Sequence, residues 1–304
     1  MTTTATAPAL VRQFADYQKN ILGHSDHTAA GYAADLGALL AWIADARGTS
    51  PAALTVADLA ALSTDDIYNY MSASATGAPL SASTRCRRAA SVRAFFRWLQ
   101  RRGLIDRDPS ADLETPKKAQ TLPRYLTAPD CARLLDACPD GKTGARDRAI
   151  LYLLISCGLR VSELCALDRA DLGPDRVRVL GKGNKERVVF FGPACRAALD
   201  AWLTVRPDVP GEDALFLSNY RARIAPRSVQ AMLDRRLTGA GLDPSTISPH
   251  KLRHTAATLM IKNGVDTRVV QEVLGHSNLN TTQIYTHVES DALRAAALAV
   301  PALG

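Results

Sequence analysis

Residues 147–164 read DRAILYLLISCGLRVSEL, and this stretch decides how the second half of the chain folds. The run that starts at Ala149 is almost continuously apolar, which predicts a buried helix. Gly158 ends that helix, because glycine accepts the left-handed backbone that commonly closes a helix. Arg160 follows at once, before a second helix. An arginine at the junction of two buried helices is predicted to point inward, where Glu163 is close enough to orient it.

Downstream of this stretch, one β-hairpin is predicted within an otherwise helical segment. Arg176-Val-Arg-Val-Leu180 alternates polar and apolar residues, as does part of residues 186–191. Two such runs around a turn rich in glycine and asparagine are typical of a hairpin. Lys182 would lie on that turn. Further on, Ser248 and Pro249 mark the start of another helix, with serine as the N-cap.

Upstream of this stretch, a separate helical domain is predicted, because a chain of 304 residues is long enough for two cores. Apolar stripes at helical spacing alternate there with capping signals. Residues 106–123 are rich in proline and small polar residues and lack apolar periodicity, which indicates a linker. We expect a mainly α fold whose second domain contains a small antiparallel β-sheet. The expected limits are residues 1–106, a linker at 107–122, and residues 123–304.

The last helix before the linker carries positive charge that its own sequence does not balance. Between Ser81 and Leu104 there are many arginines and no acidic residue. Arg93, Arg97 and Arg101 are four residues apart and so share one face. Such a face suits either plain solvation or a row of DNA phosphates, whose neutralisation releases counterions. The candidate DNA-binding residues are Arg85, Arg88, Arg93 and Arg97.

The overall composition favours a reduced intracellular protein with a polyanionic partner. The formal net charge is +7, a balance that favours nucleic acid without requiring it. The 6 cysteines include no C-x-x-C pair. Cys131 and Cys138 fall in an apolar helical stripe, so we expect them to be small core residues. The N-terminus lacks the features of a secretory signal and no apolar run could span a bilayer, so we expect a cytoplasmic protein without a membrane anchor.

Two histidines on one predicted helix raise the question of a metal site. His254 lies four residues after His250, a spacing that zinc sites use. The residue after His250 is Lys251, where the helical zinc-protease motif needs a glutamate, and there is no evident third ligand. We therefore expect no metal. Arg253 shares a face with His250 near the positive end of the helix, which favours an anion instead.

His276 and Tyr285 complete a group suited to phosphate chemistry. His276 follows a helix that ends Val-Leu-Gly, and Tyr285 comes shortly after it. The group includes no carboxylate pair for Mg²⁺, and the chain has no glycine-rich phosphate loop of the P-loop kind. Arginine, lysine and histidine donors beside a tyrosine can hold a phosphodiester without a metal and offer it a phenol nucleophile.

Four sequence blocks carry these residues. They are Gly158-Leu-Arg-Val-Ser-Glu-Leu164, Gly181-Lys-Gly-Asn-Lys-Glu-Arg187, Pro249-His-Lys-Leu-Arg-His254, and Leu274-Gly-His-Ser277 with Thr281-Thr-Gln-Ile-Tyr-Thr-His287. Their order and spacing resemble those of the tyrosine recombinases, most closely the Xer site-specific recombinases. The resemblance spans nearly the whole chain, as a helical core-binding domain of the SAM-like type, a linker and a catalytic domain.

The resemblance implies how the scissile phosphate is held. Arg160 and Arg253 would clamp its non-bridging oxygens, since planar guanidinium groups suit that task. His276 would donate a further hydrogen bond to the same oxygens. Glu163 would support Arg160 from behind.

The resemblance also implies a covalent mechanism. Tyr285 would attack the phosphate and form a 3′-phosphotyrosyl intermediate. His250 would act as general base for the tyrosine, and Lys182 would protonate the departing 5′ oxygen. No metal, cofactor or ATP would be needed, because the phosphodiester energy is kept in the protein–DNA bond.

By the same resemblance, the chain would form a C-shaped two-domain clamp on duplex DNA. Strand exchange on two synapsed sites would need a homo- or hetero-tetramer of recombinase protomers, with each C-terminal tail docked on a neighbour. Two alternatives stay open from the residues alone: a type IB topoisomerase that relaxes supercoils, and a catalytically silent DNA-binding module. Chromosome-dimer resolution in cell division and the integration of mobile elements are not separated by the sequence.

Overall fold

The computed structural model describes residues 5–73, 80–115, 124–181 and 186–275. The chain forms two compact units, residues 1–121 and 122–304. Each unit has a hydrophobic core of its own. Within the described ranges, no helix combines the length and the apolar character that crossing a bilayer demands. The predicted domain limits stay a prediction.

The first unit is helical. Its core includes Phe14 of the first helix, whose ring centroid lies 5.4 Å from that of Phe95 and 5.6 Å from that of Trp98 in the last helix. Edge-on ring contacts of this kind add stability beyond simple burial. The longer helices are α1 (Ala7–Asn20), α2 (Asp26–Ala46), α3 (Val56–Ala60), α4 (Thr64–Ser72) and α5 (Ala82–Arg101).

The second unit is also mainly helical and contains the hairpin that the sequence predicts. Its strands pair antiparallel, with Val177 opposite Val189 and Val179 opposite Arg187. Its elements are α6 (Ala128–Asp136), α7 (Lys142–Ser156), α8 (Val161–Ala166), β1 (Arg176–Leu180), β2 (Glu186–Phe190), α9 (Pro193–Val205), α10 (Pro226–Gly239), α11 (Pro249–Lys262) and α12 (Thr267–Leu274).

The prediction that Cys131 and Cys138 are small core residues is confirmed. Cys131 is fully buried and Cys138 nearly so, and both thiols are free. Burial raises the pKa of Cys131 to about 12 and that of Cys138 to about 11. Such thiols stay protonated at neutral pH and react slowly, because the thiolate is the reactive form.

Candidate active site

The site begins at a glycine, where three helices pack too closely for a side chain. Gly158 ends α7 with a φ of +60°, in the left-handed region that favours glycine. A Cβ there would lie 2.5 Å from Leu274 Cδ2 and 3.3 Å from Ala256 Cβ. The predicted glycine stop is therefore confirmed. This close packing brings the start of α8 beside α11 and α12.

Glu163 lies at the centre of the site. Its side chain is 4% exposed, and both carboxylate oxygens accept hydrogen bonds. Arg160 donates its backbone N–H to Oε2 at 2.8 Å and its Nη1 to Oε1 at 2.6 Å. Arg187 of β2 donates Nη1 to Oε1 at 2.9 Å and Nη2 to Oε2 at 2.8 Å. The contact between Glu163 and Arg160 that the sequence predicts is thus present, while its part in catalysis stays a prediction.

The charge of this cluster is positive. Burial alone would raise the pKa of Glu163, but hydrogen bonds from Arg187 and Arg160 outweigh burial and lower it. A third guanidinium approaches, with Arg253 Nη1 at 4.0 Å from Glu163 Oε2. Three arginines therefore surround one ionised carboxylate, which leaves two positive charges in excess. An uncompensated excess of guanidinium charge favours an anion such as phosphate.

Arg253 is buried on α11 and is held by backbone carbonyls. Its Nη1 donates to Gly158 O at 2.6 Å, and its Nη2 donates to Leu274 O. Burial and the positive charge of Arg160 lower the pKa of Arg253 to about 10. The guanidinium therefore remains charged at neutral pH, in a fixed orientation.

The last carbonyls of α12 accept hydrogen bonds from all three arginines. Helix C-termini leave carbonyl groups without intrahelical partners and carry partial negative charge, so cations stabilise them. The pairs are Arg187 Nε with Val273 O (3.3 Å), Arg253 Nη2 with Leu274 O, and Arg160 Nη2 with Gly275 O (3.3 Å). Gly275 ends the helix with a φ of +66°, and His276 is the next residue in the chain. The end of α12 is therefore anchored at the arginine cluster.

His250 lies at the start of α11, where the sequence predicts it. Ser248 caps this helix by accepting a hydrogen bond from Lys251 N at 3.4 Å. His250 is exposed, and Arg253 follows it one turn along the same helix. Within the part of the chain that the structure describes, no three His, Cys, Asp or Glu side chains are grouped to hold a metal ion.

Arg187 is a member of this cluster that no sequence motif had assigned to the site. Arg187 lies directly opposite Val179, and residues opposite each other on paired strands project from the same face. Val179 is fully buried, so Arg187 occupies a core-facing position. A charged residue at an apolar position of an alternating strand was the signal that could have identified it.

Three predicted site residues, Lys182, His276 and Tyr285, lie outside the described residues. Their roles stay predictions. Among the described ones, the structure brings Arg160, Glu163 and Arg253 together in one cluster.

In the first unit, a different helix partly balances the charge of α5. Asp35 of α2 is buried and forms an ion pair with Arg87. Its Oδ2 also accepts a hydrogen bond from Ser91 Oγ at 2.8 Å. The absence of acidic residues within α5 therefore does not leave all of its arginines unpaired.

Two of the four arginines predicted to bind DNA are bonded inside the first unit. Arg88 Nη1 donates to Tyr70 O at 2.9 Å and to Ala73 O at 2.8 Å, at the end of α4. Arg93 donates to Leu113 O.

The other two arginines differ in exposure. Arg97 is exposed on α5, as is Arg101 one turn later, whereas Arg85 is half-buried. The DNA-binding role of Arg85, Arg88, Arg93 and Arg97 stays a prediction.

Both units match models of known domains. Residues 124–291 match the Phage integrase family, and residues 11–103 match the phage integrase N-terminal SAM-like domain. Tyrosine recombinase XerC of Mycobacterium tuberculosis is 41% identical over 298 residues, covering 94% of this chain and 96% of that protein.

Solved structures share the fold. The XerH site-specific recombinase bound to difH substrate aligns with a TM-score of 0.66 at 23% identity, covering 95% of this chain and 84% of that one. A lambda integrase tetramer bound to a Holliday junction aligns with a TM-score of 0.65 at 18% identity, covering 90% and 80% of the two chains.

Proposed function

The chain belongs to the phage integrase family and is a tyrosine recombinase of the Xer type, and we propose how its residues divide the work of cutting and rejoining DNA. The resemblance predicted from the sequence blocks is confirmed by these matches. The observation that carries the proposal is the arginine cluster around Glu163, with its excess of positive charge.

Arg160 and Arg253 hold the non-bridging oxygens of the scissile phosphate. A guanidinium has five N–H donors in a planar fork, and the contacts described above use only some of them. The remaining donors suit a tetrahedral phosphate. Because Glu163 and backbone carbonyls already fix both side chains, little reorganisation is needed when the phosphate becomes more negative in the transition state. His276, the residue that follows Gly275, donates a further hydrogen bond to the same phosphate oxygens.

Tyr285 is the nucleophile. A bond forms between its phenol oxygen and phosphorus while the bond from phosphorus to the 5′ oxygen breaks. His250 accepts the phenol proton, and Lys182 gives a proton to the departing 5′ oxygen. The products are a 3′-phosphotyrosyl link and a free 5′-hydroxyl. A phenol has a pKa of about 10, so nearby positive charges that stabilise the phenolate lower the barrier.

The substrate is duplex DNA, and the working assembly is a tetramer of recombinase protomers. Recombination cuts both strands of two duplexes, and each protomer supplies one tyrosine. The lambda integrase structure on a Holliday junction is a tetramer, which supports the same assembly here. The net charge of +7 and the exposed arginines of α5 suit the DNA backbone. The proposed compartment is the cytoplasm, as expected from the sequence.

Covalent trapping on DNA tests this function. The purified full-length chain is incubated with sheared DNA from its source organism and denatured in detergent, and the DNA that stays attached is sequenced. The wild type is expected to retain one short sequence, which is then built into a nicked suicide duplex. Tyr285→Phe removes one hydroxyl, so it should bind this duplex with unchanged affinity and form no adduct.

Three results would count against the proposal. A detergent-stable adduct with Tyr285→Phe would refute the nucleophile. Trapping without sequence preference, together with relaxation of supercoiled plasmid, would favour a type IB topoisomerase. Tight binding without any wild-type adduct would indicate a silent DNA-binding module.

A further inference from the structure

We propose that Arg187 is a positioning residue for cleavage, which fixes Glu163 and the end of α12 so that Arg160 can engage the scissile phosphate. This inference rests on the proposed function, because it concerns the same site. It assigns a role to a residue that the resemblance left without one. It follows from where Arg187 lies and from what each of its nitrogen atoms contacts.

Arg187 donates more side-chain hydrogen bonds to Glu163 than Arg160 does. Its two terminal nitrogens bond one carboxylate oxygen each, at 2.9 and 2.8 Å. Arg160, by contrast, offers Glu163 a single side-chain bond, from Nη1 to Oε1 at 2.6 Å. A bidentate pair fixes the plane of a carboxylate, while a single bond does not. The orientation of Glu163 is therefore set by the fork of Arg187 together with the backbone N–H of Arg160, which donates to Oε2 at 2.8 Å.

Both side chains of the pair Arg187–Glu163 are buried. The side chain of Arg187 is 10% exposed and that of Glu163 is 4% exposed, whereas that of Arg160 is 39% exposed. The two buried partners support the site from below, and Arg160 is the more exposed of the two arginines that bond Glu163. Such a pair is costly to break, because a lone buried charge is left behind.

Arg187 also holds the end of α12. Its Nε donates to Val273 O at 3.3 Å. A Cβ at Gly275 would lie 3.2 Å from three atoms of the Arg187 side chain, so the glycine that caps the helix packs against this arginine. Arg160 Nη2 donates to Gly275 O at 3.3 Å from another side. One guanidinium therefore links β2, the start of α8 and the point where the chain leads into His276.

The consequence of removing this guanidinium can be derived from these contacts. Glu163 would lose two of its donors, and its free oxygen lone pairs would attract the nearest remaining guanidinium, that of Arg160. A second bond from Arg160 to Glu163 would take up donors that the phosphate needs. The end of α12 would lose one of its anchors at the same time. Both changes misplace groups that contact the phosphate without removing any of them.

Two substitutions separate charge from geometry. Arg187→Met removes the charge at similar length, and Arg187→Lys keeps the charge but loses the planar fork. A displacement of about 1 Å among reacting groups costs about 100-fold in rate. We therefore expect single-turnover cleavage of the suicide duplex to slow by about 10- to 100-fold in Arg187→Met and about tenfold in Arg187→Lys. The dissociation constant for the same duplex should stay within about twofold, because the phosphate contacts elsewhere on the DNA are unchanged.

Arg178→Lys is the matched control. Arg178 lies on the other strand of the same hairpin, on the exposed face, and bonds Asp171 at 2.9 and 3.1 Å. The chemical change is the same as in Arg187→Lys, and neither Arg178 nor Asp171 belongs to the site. This variant should cleave at the wild-type rate.

A double variant tests whether Arg187 acts through Glu163. If it does, Arg187→Met combined with Glu163→Gln loses no more activity than the more damaging single change, because both break the same pair. Losses that multiply would overturn the inference. A wild-type cleavage rate in Arg187→Lys would also overturn it. So would a combined loss of DNA affinity, melting temperature and rate in Arg187→Lys, because that pattern indicates a merely structural role. Wild type that forms no adduct would overturn the proposed function, and this inference with it.

Discussion

Arg88→Ala and Arg97→Ala make the same chemical change on one helix, and we expect opposite consequences. Arg88 bonds two carbonyls at the end of α4, and its guanidinium lies 4.8 Å from the centroid of the Tyr70 ring. Hydrogen bonds from a charged donor contribute about 1.5–3 kcal/mol each when well buried, and an exposed cation–π contact contributes about 0.5–1 kcal/mol. Arg88 is half-buried, so water can replace part of these interactions when the side chain is removed, and the net loss of stability is smaller than their sum. The expected loss is about 2 kcal/mol.

In a domain of this size, such a loss lowers the melting temperature by about 10 °C. Arg97 is exposed and has no such bonds among the described contacts, so its truncation should change stability by less than about 0.5 kcal/mol. If Arg97 contacts a phosphate, the slope of log affinity against log salt should fall by about 0.9. Arg88→Ala should leave that slope unchanged.

The assay joins a thermal melt to fluorescence anisotropy titrations of a short random-sequence duplex at several salt concentrations. An unchanged slope for Arg97→Ala would refute the proposed grip of α5 on DNA. A reduced slope with an unchanged melt for Arg88→Ala would refute a structural role for Arg88 at α4 and support its predicted contact with DNA.

Three further predictions concern metals, packing and pH. Cleavage should survive excess EDTA, because the proposed site consists of arginines, histidines, a lysine and a tyrosine, and its one carboxylate, Glu163, is bonded to arginines; loss of activity restored by Mg²⁺ or Zn²⁺ would contradict this. Phe95→Ala should lower the free energy of unfolding by about 3–5 kcal/mol, since the Phe95 ring is fully buried; a denaturant titration measures it. The pKa of Glu163 is lowered in the folded protein, so its stabilising contribution is present above its ordinary pKa of 4.5 and is lost as pH falls through the lowered value. Between pH 7 and 3, Glu163→Gln should therefore lose less stability than wild type, and equal losses in denaturant titrations would contradict this.

Local patterns in the sequence identified most of the elements that build the site. Gly158 ends a helix and Ser248 caps another. Both effects involve backbone groups within a few residues, so they can be predicted from the local sequence. The hairpin was predicted for the same reason, since alternation along each strand reports which face is buried. The resemblance of the four blocks to tyrosine recombinases was also predicted from the sequence, and the matches to known proteins confirm it.

Apart from the local pair of Arg160 and Glu163, the partners of the arginines were decided by the tertiary structure. Arg187 and Glu163 are 24 residues apart, and Arg160 and Gly275 are 115 apart, so no local periodicity relates them. On α5, a separation of four residues places Arg93 and Arg97 on one face, yet Arg93 donates to Leu113 O while Arg97 is exposed. Helical spacing fixes the direction of a side chain, but its partner depends on which other segment packs there. The sequence by itself therefore determined which residues could do the chemistry, and packing between distant segments determined which of their donors are occupied.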